Sequence, residues 1–204
     1  MTDEMQSIRD DIAYLRAMAQ SGRDGTDTGA VVLMTAGGCY GVASAVQWAA
    51  LSHFAGVGNE ASLTAWFAAM VLFFAALFWT RRQAGAGSRS RASVLGWQAT
   101  GSALFVLFCA LGIATWRTGS PVLISFSPSI VTALYGAAWM VAALVTKRRW
   151  LWLMAYGSFA AALVSAWLVT ETIQWLFYAL YLFLLAFVPG LIFTWKGRAA
   201  PAAA

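Results

Sequence analysis

Six long apolar runs, separated by short polar segments, dominate the chain. They cover residues 29–51, 63–80, 95–116, 128–146, 150–169 and 172–195. A helix needs about 20 mostly apolar residues to cross a bilayer core, so each run predicts one transmembrane helix. The runs are continuous rather than alternating. That excludes a β-barrel, whose strands alternate lipid-facing and lumen-facing positions. In hydrocarbon every backbone N–H and C=O needs an internal partner, and runs rich in Ala, Leu and Gly find one by folding as helices. The expected fold class is all-α: a polytopic membrane protein with six transmembrane helices and both termini cytoplasmic. Its expected organisation is an arm over residues 1–28, a six-helix domain over 29–196 and a tail over 197–204.

Residues 3–20 carry a different pattern. Met5, Ile8, Ile12, Leu15 and Ala19 recur at spacings of 3, 4, 3 and 4, which places them on one seam of a helix. Asp3 and Glu4 stand at its start, where the helix dipole favours acids. Gly22 and Gly25 interrupt the pattern before the first run. Helices that lie on lipid usually carry Lys and Arg on their polar face. This segment instead has four acids against two bases. It therefore predicts a short cytoplasmic amphipathic helix that packs on protein, in this chain or another, rather than on lipid. Two heptads are too short for a free coiled coil.

Composition agrees with the membrane class. Of 204 residues, 61% are hydrophobic and 10% charged, against about 25% charged in a soluble domain. Mean hydropathy is +0.70. The distribution of bases sets the orientation. Arg9, Arg16 and Arg23 precede the first run, and Arg81, Arg82, Arg89 and Arg91 follow the second. Lys147, Arg148 and Arg149 follow the fourth, and Lys196 and Arg198 end the sixth. With six crossings these twelve share one side and Arg117 alone lies opposite, which makes the twelve-base side cytoplasmic. Insertion orientation thus accounts for the net charge of +5 without nucleic acid. The expected location is the plasma (inner) membrane. About 29 mostly polar residues before the first run, without a basic leader, argue against a cleaved signal peptide. Ala36-Gly37-Gly38-Cys39 lacks the branched residue of a lipoprotein cleavage box. Cys39 and Cys109 fall inside separate runs and behave as small apolar residues.

Small residues mark packing ridges. Gly37, Gly41, Ala45 and Ala49 recur every fourth position in the first run, as do Gly157, Ala161 and Ser165 in the fifth. Such ridges let helices approach closely. They are expected to pack within the six-helix body, and the alternative is a dimer seam along the first run. Tyr-Gly occurs at Tyr40-Gly41, Tyr135-Gly136 and Tyr156-Gly157, too weak a pattern to define an internal repeat. Trp48, Trp79, Trp97, Trp116, Trp150 and Trp195 lie near run ends, as the aromatic belt of membrane proteins requires.

No motif names a reaction. Every Asp lies between residues 3 and 27, and His53 is the single histidine. An intramembrane aspartyl protease, an intrachain bis-histidine haem, an HExxH site and a P-loop are all excluded. The chain is expected not to be an enzyme and to need no cofactor or metal. The remaining chemistry lies at the non-cytoplasmic end. Glu171, Gln174, Trp175, Tyr178 and Tyr181 fall within about 120° of one helix face. Gln47 and His53 share that end of the first run, Glu60 lies in the adjoining loop, and Arg117 follows the third run. These residues form a candidate outward-facing pocket for a small polar or amphipathic ligand, with Arg117 as a counter-charge for Glu171. The competing reading keeps Glu171 solvated in a tight turn and makes the Tyr and Trp residues interfacial anchors. Pro189-Gly190 breaks the sixth run and implies a bend or a hinge.

Two functional expectations follow. The first is a non-enzymatic membrane protein acting through protein contacts, as a subunit, scaffold or sensor. The second is a small-solute permease, or the binding subunit of a transporter. No acid or base lies between the span ends, whereas coupled transporters usually carry ionisable groups at mid-membrane. That favours the first. The expected partners are the lipid bilayer, a further copy or another membrane protein, and a small ligand at the pocket.

Overall fold

The computed structural model of the chain describes residues 30–83 and 91–198, together with Gln6 and Ile12 as single helical positions. The described residues hold six helices long and apolar enough to cross a membrane and no strand. This is an all-α, multi-pass membrane protein whose outer surface meets lipid.

Helix α1 spans Ala30–Leu51. A single 3-10 turn at Phe54–Gly56 leads to α2 (Asn59–Gln83), followed by α3 (Arg91–Thr118). One turn, α4 (Val122–Ser125), precedes α5 (Ser127–Thr146), and the two make the fourth crossing. Helix α6 covers Trp150–Trp167. The sixth crossing consists of α7 (Ile173–Leu182), a wide π turn at Phe183–Phe187 and α8 (Val188–Arg198). Most of the amphipathic seam expected over residues 3–20 lies outside the described residues, and Ile12 is exposed. The loop 84–90 and residues 199–204 also lie outside them.

Local chemistry explains the element ends. Helix α2 begins four residues before its apolar run, with Glu60 in its first turn, where an acid complements the positive end of the helix dipole. Helix α5 has a proline in its first turn, where no N–H is required. His53 and Lys147 end α1 and α5 with φ of 53° and 54°, the left-handed conformation that stops a helix.

Helices α5 and α6 pack along each other over most of their length. They approach closely at Gly136, where an added Cβ would stand 2.7 Å from the Phe159 ring. Helix α1 lies on the sixth crossing, backbone against backbone at two levels. A Cβ on Gly37 would meet the Phe187 nitrogen at 2.4 Å, and one on Gly190 would meet the Met34 nitrogen at 2.6 Å. Gly41 faces the Phe183 ring, and Gly157 of the second ridge faces Leu185. Both ridges thus pack onto the sixth crossing. Helix α3 packs on α5.

The π turn sits one residue ahead of Pro189. Val188 N–H donates to Phe183 O, five residues back. In a regular helix the Pro189 ring would press on the carbonyl four residues earlier, and a π turn at that point widens the backbone to make room. Gly190 next to it then brings α8 onto α1.

Candidate functional site

Gln174 is the most constrained residue of the expected polar face. Its side chain is 1% exposed. The amide nitrogen donates to Ser125 O at 2.9 Å and to Ser165 O at 3.1 Å. Ser125 closes α4 and Ser165 lies in the last turn of α6. Carbonyls at helix ends have no partner within the helix, so one carboxamide caps two helices and anchors both to α7.

The other inward residues of this face connect to α6 and α2. The Tyr181 hydroxyl donates to Ser158 Oγ at 3.1 Å, and Ser158 Oγ donates to Met154 O at 2.7 Å. The rings of Tyr178 and Tyr181 lie parallel within 7°, with centroids 6.3 Å apart. Trp175 meets Trp66 of α2 edge-on at 5.9 Å. The Trp66 indole N–H donates to Gln47 Oε1 at 3.1 Å, and Ser62 Oγ donates to the same oxygen. A chain of contacts therefore runs from α1 through α2 to α7.

The structure divides the candidate residues. Gln47, Gln174, Trp175, Tyr178 and Tyr181 are drawn into interhelical contacts. Glu171, His53 and Arg117 are exposed. Glu171 lies just before α7, its N–H donating to Leu168 O at 2.8 Å. His53 shapes the backbone at the end of α1 through its positive φ.

Sequence reasoning missed the residues that complete the interior cluster. Val131, Ala161, Tyr178, Tyr181 and Leu182 form its buried centre, and Tyr40, Trp66, Leu104, Tyr135 and Trp175 pack around it. Tyr40 stands 6.1 Å from Trp66 and 5.6 Å from Phe73, ring centre to ring centre. Tyr135 meets Trp97 edge-on at 5.7 Å. The signal available was the Tyr-Gly pair. Gly41 and Gly136 admit the rings of Phe183 and Phe159, while the preceding tyrosines join the cluster. Tyr156, third of the pairs, is exposed and stacks on Trp152.

Among the described residues no group of three His, Cys, Asp or Glu could hold a metal. A shallow apolar crevice between α3 and α5, lined by Leu104, Leu107, Phe108, Leu111, Ser127, Ile130 and Val131, borders the tyrosine cluster. The polar groups inside the bundle are neutral: hydroxyls, carboxamides and indoles. They suit hydrogen bonding rather than charge pairing. Comparison with known proteins gives no match to a family model, to a curated protein or to a solved structure.

Proposed function

We propose that this chain is a non-enzymatic integral membrane protein that acts through contacts with other membrane proteins, as a subunit, scaffold or sensor. The observation that carries the reading is the uneven burial of the helices. The crossings in α2 and α3 are 11% and 0% buried, against 33% to 39% for the other four. Phe67, Phe74 and Phe78 of α2 and Phe105, Val106 and Ile113 of α3 are all exposed. Two peripheral helices with large apolar faces, held to the body along one side, suit a protein whose work is to meet others. The twelve-to-one base distribution supports cytoplasmic termini and a plasma (inner) membrane location. The arm's apolar seam, flanked by more acids than bases, supports a protein contact on the cytoplasmic side.

A second reading, a small-solute permease or a transporter's binding subunit, draws support from the inward placement of Gln174 and Tyr178. The pairing of the Gln174 amide with two backbone carbonyls counts against it, because that donor is already engaged.

Photo-crosslinking in native membranes tests the first reading. A benzophenone amino acid replaces Phe74, Phe105 or, as a lipid-facing control on α6, Leu163. Protein adducts from positions 74 or 105 and none from 163 are expected. Equal yields at all three, or lipid adducts alone, would refute it.

A further inference from the structure

Helix α3 turns two polar side chains outward within the membrane. Gln98 and Ser102 lie one turn apart, and both are exposed. The hydroxyls of Thr64, Thr100, Thr118 and Thr146 each donate to a carbonyl one turn back in their own helix. Among the described residues the Ser102 hydroxyl makes no such bond, and the Gln98 carboxamide meets no donor or acceptor. Arg91 and Arg117 bracket the helix and stand about 39 Å apart along it. With a hydrocarbon core of about 30 Å centred between them, Gln98 lies roughly 6 Å inside that core and Ser102 roughly 12 Å. Lipid tails offer neither group a partner, and an unpaired amide in hydrocarbon is costly.

The polar pair heads a longer seam. Phe105, Cys109 and Trp116 continue the same face, and all three are exposed. From Gln98 to Trp116 the spacings are 4, 3, 4 and 7. They place all five residues within about 60° on the helix and match the heptad seam along which helices pair in membranes. The area is of the right order. Phe105, Phe108 and Trp116 are 66%, 43% and 85% exposed, so these three aromatics offer roughly 300–500 Å². Val106 and Ile113, exposed beside them, extend the face toward the about 800 Å² per partner of a standard interface.

Symmetry and chemistry select the partner. Copies of one membrane protein insert with the same orientation, so a two-fold axis relating two of them runs along the membrane normal. Across that axis each residue of one α3 faces the same residue of the other. A carboxamide carries both donor and acceptor, so Gln98 pairs reciprocally with Gln98 of a second copy. The face holds no charge between Arg91 and Arg117, and nothing electrostatic opposes the approach. We propose that α3 is the seam of a parallel homodimer, in which the two Gln98 carboxamides hydrogen-bond to each other and Cys109 faces Cys109. The proposal rests on the contact reading and names its partner as a second copy of this chain.

The test reconstitutes the full chain, with Cys39→Ala, in phosphatidylcholine vesicles and oxidises it with copper phenanthroline. Cys109 should give a disulfide-linked dimer. Moving the thiol by one position, with Cys109→Ala and Ala110→Cys, should abolish that dimer, because position 110 faces about 100° away. Energy transfer between chains labelled enzymatically at the C-terminus, followed as protein is diluted into lipid, gives the dissociation constant. Gln98→Leu should raise it roughly three- to tenfold, and Gln98→Asn, which keeps donor and acceptor, should raise it less. Monomers at every protein-to-lipid ratio, equal crosslinking from positions 109 and 110, or a Gln98→Leu dimer as tight as wild type would each overturn the homodimer. Photo-adducts from position 105 in native membranes that contain only other proteins would overturn it too, while leaving the contact reading standing.

Discussion

Replacing Gly37 with alanine measures how closely α1 lies on the sixth crossing. The new methyl carbon would stand 2.4 Å from the Phe187 nitrogen, 2.9 Å from Leu182 O and 3.0 Å from the Ala186 carbonyl carbon. All three are backbone atoms, so no side-chain rotation relieves the clash and the two helices must separate. Alanine by itself favours a helix interior over glycine by about 0.5–1 kcal/mol. Overpacking costs about 1–3 kcal/mol. Gly112 provides the reference, since a Cβ there meets nothing within 4 Å. The helix-propensity gain is common to Gly37→Ala and Gly112→Ala, so their difference isolates the clash: about 1–3 kcal/mol in favour of Gly112→Ala. Gly41→Ala belongs between them, because its nearest atoms belong to the Phe183 ring at 3.1 Å, and a ring can shift. Unfolding by sodium dodecyl sulfate in mixed micelles, read by far-ultraviolet circular dichroism, gives the three values. The expected order of stability is Gly112→Ala, then Gly41→Ala, then Gly37→Ala. A Gly37→Ala protein as stable as Gly112→Ala would refute the backbone contact between α1 and the Phe183–Phe187 turn.

In the same assay Gln174→Leu is expected to lower stability by about 1–3 kcal/mol, because the carbonyls of Ser125 and Ser165 lose their donor; Glu171→Gln, at an exposed position, should leave it unchanged. For orientation, single cysteines are introduced with Cys39 and Cys109 replaced by alanine. In intact cells an impermeant maleimide should label Glu60→Cys and not Arg89→Cys, and the reverse pattern would overturn the assignment of sides. For the arm, Ile8→Asp combined with Ile12→Asp should leave insertion intact while changing oligomer size or co-purifying proteins. If neither changes, and the arm's protease sensitivity matches wild type, the seam has no protein partner.

The helices were legible along the chain because membrane helix formation is a local requirement. Each continuous apolar run must satisfy its own backbone in hydrocarbon, so the six crossings follow without reference to their neighbours. Helical periodicity also placed Gln174, Trp175, Tyr178 and Tyr181 on one face. It could not say what that face meets. Nearly every position on these helices is apolar, so no polar side distinguishes lipid from protein, and the rotation of each helix is decided by packing. Tertiary contact decided that Gln174 caps Ser125, 49 residues earlier, and Ser165, nine residues earlier. It likewise brought Tyr40 and Tyr135 from separate crossings to Tyr178, and it kept Glu171, His53 and Arg117 at the surface. Close approach is the physical reason. Gly37, Gly136 and Gly190 admit neighbouring backbone or ring atoms, and those contacts bring α1 onto the sixth crossing and α5 onto α6.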